Sequence, residues 1–423
     1  MNNKRELGKQ EKKIKMDNKK LFTLGELYVA DFLKPEENPR HPPVEMELVM
    51  EPNGLVRLNK TAPPEVMWGK YWYNSSINAS MSNQLKDIVE SITNVMELKE
   101  NSLWIDCGSN DGTLLSFVPN NLIRVGIDPA DDTFKIRAEK HANLIIQDYF
   151  TAKTFKESKF GRLKAMVFSS VAMFYDLPDP VTFIKDVYEI LDDEGLWVMQ
   201  LSHTPLMLKQ LAFDNICHEH MYYYSLSNLK PMLEANGFNI VDCQLNDTNG
   251  GSFRVYIRKS IANPKLFAKQ PHRDVCEFRI KSLLEYEKQL KIDQPEIWMT
   301  FYNEIQKLKE QVVGFIKEEK ARGKTIYGYG ASTKGQTTLQ WFGLDNTLID
   351  AIADRSPAKW GLRTVGTNIP IIPESEMRSA KPDYLLMLPW HFVNEFSQRE
   401  SQYLANGGKF IVPCPKFEII CSE

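Results

Sequence analysis

At 423 residues the chain is longer than one hydrophobic core usually holds, so two or three packed domains are expected. Its 43 % hydrophobic and 25 % charged residues are ordinary for a globular protein, and a net charge of -3 excludes broad attraction to nucleic acid or to an anionic membrane. The six cysteines form no Cys-x-x-Cys pair, no apolar run reaches the roughly 20 residues of a membrane helix, and no signal peptide opens the chain, so a reduced, cytoplasmic protein is expected.

Residues 1–20 carry eight Lys or Arg against three acids and read as a flexible basic tail. Residues 21–80 mix short apolar runs with Pro35, Pro39, Pro42, Pro43 and Pro52, which predicts a small N-terminal lobe of irregular strands. It ends in the aromatic stretch Trp68, Tyr71, Trp72 and Tyr73. Residues 81–260 open on a helix, with Leu85, Ile88, Val89, Ile92 and Val95 at helical spacing, and then alternate. Apolar runs at 103–107, 125–127, 165–168 and 196–201 are separated by helical segments, the pattern of parallel βαβ units. Two final runs flank Asn249-Gly250-Gly251 as an antiparallel hairpin. Residues 261–423 begin with two long helices broken near Asp293 and Pro295, then alternate again from Thr325. The predicted fold is α/β: a Rossmann-like core with a small lobe before it and a second Rossmann-like domain after it.

The segment Leu103-Trp-Ile-Asp-Cys-Gly-Ser-Asn-Asp-Gly-Thr-Leu-Leu115 ends a strand and opens a helix. Gly108 and Gly112 keep Cβ atoms away from a ligand, and Asn110 tolerates the left-handed conformation. Asp106 and Asp128 fall at the carboxyl ends of adjacent strands, where α/β sheets bind ligands. Asp128 is placed to accept ribose hydroxyls and Asp106 to anchor the amino-acid end of an adenosyl ligand. Asp148 either binds the adenine amino group or caps a turn. The spacing Asp-x-Gly-x-Asn-x-Gly suits S-adenosyl-L-methionine better than the Gly-x-Gly-x-x-Gly of a dinucleotide site.

Phe213 to Tyr224 packs His218, Glu219, His220 and three tyrosines into one segment after the fifth core strand. Two histidines two apart, with no further pair to complete a site, argue against metal.

The chain resembles three-domain sugar C-methyltransferases. The motifs are Tyr71-Trp-Tyr-Asn-Ser-Ser76, Gly108-Ser-Asn-Asp-Gly-Thr-Leu-Leu115, Met173-Phe-Tyr-Asp-Leu-Pro-Asp-Pro180, Ile216-Cys-His-Glu-His220, Gly250-Gly-Ser-Phe-Arg-Val-Tyr256 and Gly328-Tyr-Gly-Ala-Ser-Thr-Lys-Gly335. The resemblance covers nearly the whole chain from residue 21. It implies that His220 is the general base, that Glu219 orients it or holds substrate, that Tyr71 and Tyr73 cover the methyl donor, and that the acceptor is a nucleotide sugar. His218 is assigned to the substrate. The family has Tyr at the position of Cys217 and His at that of Phe174, both near the sugar; Tyr222 to Tyr224 can substitute, with Tyr222 placed among the catalytic groups. In the lobe, Met50 and Asn53 stand where the family has zinc-binding cysteines, so no zinc is expected.

The second loop, Ile326 to Gly335, again joins a strand to a helix, with Ser332 and Thr333 as candidate caps. Gly330, Ser332 and Lys334 are assigned to the diphosphate of the nucleotide sugar, because a helix N-terminus offers free N–H groups to an anion. The alternatives are a plain structural turn, or NAD held by Asp350 or Asp354. For the whole chain, O-methylation, NAD-dependent oxidation and non-catalytic binding of a nucleotide sugar compete with C-methylation. A monomer or small homo-oligomer with no nucleic-acid or membrane partner is expected.

Overall fold

The computed structural model describes residues 18–68, 72–263 and 273–422. The basic tail therefore lies outside the described residues up to position 17, and Lys19 and Lys20 already belong to the first strand, Lys19–Leu27.

The middle domain is built on one seven-stranded sheet. From edge to edge it runs Phe238–Asn246, Ser252–Lys259, Leu191–Ser202, Ala165–Val171, Leu103–Cys107, Ile123–Ile127 and Leu144–Ile146. All of Leu103–Cys107 is buried, as befits a strand covered on both faces. The helix Ala79–Val95 lays Leu85, Ile88, Val89 and Ile92 on one face of the sheet. The helices Pro180–Ile190 and Leu226–Glu234 cover the other. Ser252–Lys259 is antiparallel to both its neighbours, the expected hairpin end of a parallel sheet. From Leu103–Cys107 the chain winds first to one side and then returns to the other, which opens a crevice at the carboxyl ends of the central strands.

The C-terminal domain repeats the device with six strands. They run Ile371–Pro373, Ala351–Asp354, Ile326–Tyr329, Tyr384–Met387, Lys409–Val412 and Glu418–Ile420, with the last antiparallel. Its core is continuous with the lobe and with the connector helix Pro295–Ala321. Phe22 stacks on Tyr302 at 4.6 Å, and Gln340 exchanges hydrogen bonds with the backbone of Tyr28 at 2.7 and 3.1 Å.

The lobe is stitched to both partners. Its strands Lys19–Leu27, Val44–Met50 and Val56–Leu58 accept a fourth, Tyr222–Tyr223, from the middle domain, while Phe32–Leu33 pairs with Arg363–Thr364 of the C-terminal domain. Met50 is buried among apolar neighbours, and the Asn53 side chain accepts the Leu55 amide at 3.0 Å, so a side-chain turn and a packed core shape this hairpin. Among the described residues no group of His, Cys, Asp or Glu is arranged to hold a metal ion, and no helix is long and apolar enough to cross a membrane.

One buried polar link joins the connector to the middle domain. Glu287, on the helix Arg273–Leu290, accepts the amides of Leu226 and Ser227 at 2.8 and 2.7 Å and pairs with His203 Nε2 at 2.9 Å, both side chains being fully buried. A carboxylate at a helix N-terminus satisfies amides that have no helical partner. Glu287→Ala would strand these groups in a dry interior, so we expect a loss of about 3 kcal/mol and a thermal midpoint several degrees lower. A midpoint within about a degree of wild type contradicts this account.

Candidate active site

A single cavity of about 630 Å³ receives residues from all three domains. Its first wall is the loop after Leu103–Cys107. The Gly108 amide donates to the Ile127 carbonyl at 2.8 Å, and the Asn110 amide to Asp128 Oδ2 at 2.7 Å, so the loop is pinned to the neighbouring strand. Gly108 and Asn110 both have positive φ, as the loop's close approach to the cavity requires. Asn110 also accepts the Ser75 amide at 3.0 Å and donates to the Tyr73 carbonyl at 3.0 Å, which draws the aromatic segment of the lobe over the crevice. Tyr73, Asp106, Gly108, Asn110, Asp128 and Asp148 all line the cavity. Tyr71 and the side chain of Trp68 lie outside the described residues.

Gly112 does not line it. A Cβ there would meet Ala138 Cα at 2.7 Å, so its hydrogen serves the packing of loop on helix. Asp148 sits exposed at the rim, while Asp106 is buried and accepts from Ser169 Oγ at 2.6 Å. Burial raises the Asp106 carboxyl to about 7, against the Ser169 bond and with some help from Asp128. The hydroxyls of Tyr73 and Ser109 are buried at this wall with no partner, as polar groups that meet a ligand are. The left-handed loop, the flanking carboxylates and these unpaired hydroxyls fit an adenosyl ligand that carries an ammonium.

The second wall is the histidine segment. His220 and Glu219 line the cavity. Burial lowers the His220 imidazole well below its usual range, Lys334 adds to this, and the facing Asn215 carbonyl opposes it, so the ring is held neutral. The Tyr175 ring lies 4.1 Å from it, centroid to centroid. Glu219 does not orient the ring: its carboxyl, pushed up by burial, takes the Cys217 thiol instead, and its Oε2 has no partner. Of the two roles assigned to Glu219, holding substrate is the one its surroundings favour.

Two further residues assigned to the site lie outside the cavity. His218 faces away and bonds the Leu27 carbonyl through Nε2 at 3.0 Å, tying the segment to the lobe, and burial lowers it to about 4. Tyr222 is drawn into the lobe sheet opposite Arg57 and stacks on Tyr224, outside the cavity. Phe174 is likewise no part of the site, because it is packed against Phe183, Trp197 and Tyr224 in the core. The short 3₁₀ turn Phe174–Asp176 brings Asp176 to the cavity, with Oδ1 unpartnered and its carboxyl raised well above the usual range by burial and by Glu219. Asp176 stood inside one of the quoted motifs, but nothing in residue spacing marks which end of such a turn faces a ligand. Asn215 carried no signal at all.

The third wall is the loop after Ile326–Tyr329. It copies the first: the Gly330 amide donates to the Ala353 carbonyl at 2.8 Å and the Ala331 amide to Asp354 Oδ2 at 2.7 Å. Ser332 caps the helix Thr333–Phe342 by accepting the Gly335 amide at 2.9 Å. Gly330, Ser332 and Lys334 all line the cavity. Asp350 is spent on Lys320 and the Ile326 amide, while Asp354 accepts the Ala331 and Ser356 amides as Asp128 accepts those of Asn110 and Ala130, and differs from Asp128 in having Lys359 as a buried counter-charge.

Residues 78–242 match the model of a methyltransferase domain, and residues 247–415 match that of a C-methyltransferase C-terminal domain. The C-methyltransferase NovU of Streptomyces niveus is 28 % identical over 370 residues, which are 87 % of this chain and 86 % of that protein. Solved structures with a similar fold include an S-adenosylmethionine-dependent methyltransferase from Clostridium acetobutylicum (11 % identity, 44 % of this chain and 93 % of that one, TM-score 0.33). The N-methyltransferase NodS from Bradyrhizobium japonicum is another (11 %, 43 % and 94 %, TM-score 0.32). With a methyltransferase domain matched over residues 78–242 and a C-methyltransferase C-terminal domain over residues 247–415, the chain is a methyltransferase similar to C-methyltransferases and uses S-adenosyl-L-methionine as its methyl donor.

Proposed function

We propose that this methyltransferase places a methyl group on a carbon beside the ketone of a nucleotide-activated sugar. The observation that carries the proposal is that a neutral, buried His220, the donor-side loop and the C-terminal loop open into one cavity. The donor supplies an electrophilic methyl group on sulfur when bound. Asp128 holds its ribose, Asp106 its amino group, and Tyr73 closes over it, while Asp148 is left for the adenine at the rim. Gly330 and Ser332 belong to the nucleotide half, beside Arg355, which lines the cavity and whose one hydrogen bond among the described residues is a long one of 3.3 Å to the Ile77 carbonyl.

His220 removes the proton next to the ketone, a task worth typically ~10²–10⁴-fold in rate when a base is well placed. Glu219 Oε2 accepts from a sugar hydroxyl. The cavity keeps water from the carbanionic carbon and holds the two reactants in register. The six cysteines, five of them buried, form no disulfide, which suits a reducing compartment, and we place the enzyme in the cytoplasm, acting on a small molecule.

The test is turnover of a panel of nucleoside diphosphate 4-keto and hydroxy sugars, read by mass as the gain of one methylene. His220→Ala should cut turnover by ~10²–10⁴-fold with donor affinity nearly unchanged. Deuterium from solvent should enter the position beside the ketone in wild type but not in this variant. Methyl transfer without any exchange in wild type would favour an oxygen acceptor, and full exchange in the variant would place the base elsewhere.

Asp106 gives a pH signature. Its carboxyl is protonated below about 7 because burial penalises the charge, and a bound ammonium favours the carboxylate. Donor binding near pH 6 should therefore release a proton, and affinity should climb by up to about tenfold per unit towards pH 7 and then level off. Calorimetry in buffers of different ionisation enthalpy reads this directly. Asp106→Asn should abolish the release; an unchanged release in that variant contradicts the assignment. Asp128→Ala, which removes the ribose contacts and unpins the loop, should weaken donor binding by about 2 kcal/mol, and an unchanged affinity would remove Asp128 from the donor site.

A further inference from the structure

Lys334 opens the helix that would receive a diphosphate, yet its ammonium turns the other way. Nζ donates to Asn215 Oδ1 at 2.6 Å, in the middle domain rather than in its own loop. Asn215 is itself anchored, its side chain donating to the Ala212 carbonyl at 3.1 Å, and its own carbonyl faces His220. One residue thus stands between the base and the cation. The same ammonium is near enough to act on the charges of Asp176, Asp214, Glu219 and His220.

Lys334, like Arg355, differs from two other cations that line the cavity. Lys359 is held by the Ala331 carbonyl and Asp354, and Arg399 by Glu374 and Glu395. An ammonium has three donors. Asn215 takes one from Lys334, and the described residues form no ion pair with it. In the same cavity Asp176 Oδ1 and Glu219 Oε2 are both buried without a partner. Buried polar atoms left open in the cavity of an ammonium that has donors to spare suit an oxygen-bearing ligand.

We propose that Lys334 is a catalytic cation, supplied by the C-terminal domain to the methyl-transfer site, that binds the acceptor oxygen on which charge develops and leaves the diphosphate to the backbone of its loop and to Arg355. The proposal rests on the reading of His220 as base. As His220 takes the proton, the C–H electron pair becomes the carbon–carbon double bond and the carbonyl pair moves to oxygen, where Lys334 meets it. The pair then returns, the carbon bonds the methyl group, the carbon–sulfur pair stays with sulfur, and His220 gives its proton to solvent. A preorganised donor at such an oxygen is worth ~10²–10³-fold in turnover when removed.

The experiment uses the full-length enzyme, the sugar of the panel that wild type methylates, and thymidine and uridine diphosphate as binding probes. Lys334→Met should lower kcat ~10²–10³-fold while the affinity for either diphosphate stays within about twofold. Lys334→Arg, which keeps the charge but spreads it over a planar group, should retain more of kcat and serves where the Met variant does not fold. Diphosphate affinity lost with kcat kept at saturation would make Lys334 a diphosphate ligand and overturn the proposal; so would no change in either quantity. Solvent exchange separates the two readings. Exchange slowed in Lys334→Met and absent in His220→Ala supports both, whereas full exchange in His220→Ala removes the base and leaves the Lys334 outcome to be judged on kcat alone. A wild type that methylates no sugar of the panel overturns both.

Discussion

The Asp128 carboxylate bonds the Asn110 amide at 2.7 Å and the Ala130 amide at 2.8 Å, and much of the site hangs from that clamp. It fixes the left-handed turn of the loop, and Asn110, so fixed, reaches on to Tyr73 and Ser75 of the lobe. A charge-assisted bond from a carboxylate to a backbone amide is among the stronger ones available to a protein, and here it is largely shielded from water. The first domain boundary is therefore crossed by the same short chain of bonds that shapes the donor loop. Loosening any member displaces the others.

Asp354 repeats the clamp on Ala331 in the C-terminal domain, with Lys359 added as a buried counter-charge. Two loops of like construction thus open into one cavity from two sheets, each at the carboxyl ends of its strands, where α/β domains bind ligands. The arrangement divides the work. In the proposed function the first loop faces the methyl donor, while the second carries Lys334 towards Asn215, whose own carbonyl faces His220. No domain encloses the cavity alone, which is why the lobe is sewn to both others through two-residue strand pairings and why the core of the lobe runs on into the C-terminal domain.

Much of this architecture was legible in the residues. The strand at Leu103–Cys107, the hairpin end of the first sheet, the broken connector and the second alternating domain all follow from apolar periodicity and turn residues, because burial on both faces of a sheet leaves a dense signal. The failures have a common physical origin in short or irregular pieces. Tyr222–Tyr223 is too brief to show a period, so its capture by the lobe could not be foreseen. A single 3₁₀ turn decides that Phe174 enters the core and Asp176 the cavity. His218 and His220, two apart on irregular backbone, point to different domains. Lys334 has the position of an anion ligand in the sequence, but the length of its side chain lets Asn215, 119 positions away, decide where the charge rests.

The central claim is that the neutral imidazole of His220 and the donor loop serve carbon as the acceptor. Labelling the donor methyl with carbon-13, and the sugar uniformly, makes the product's own spectrum decisive. A new methyl carbon split by one-bond coupling to a ring carbon is the result this account predicts. A methyl carbon without that coupling, at the shift of a methyl ether, would contradict it.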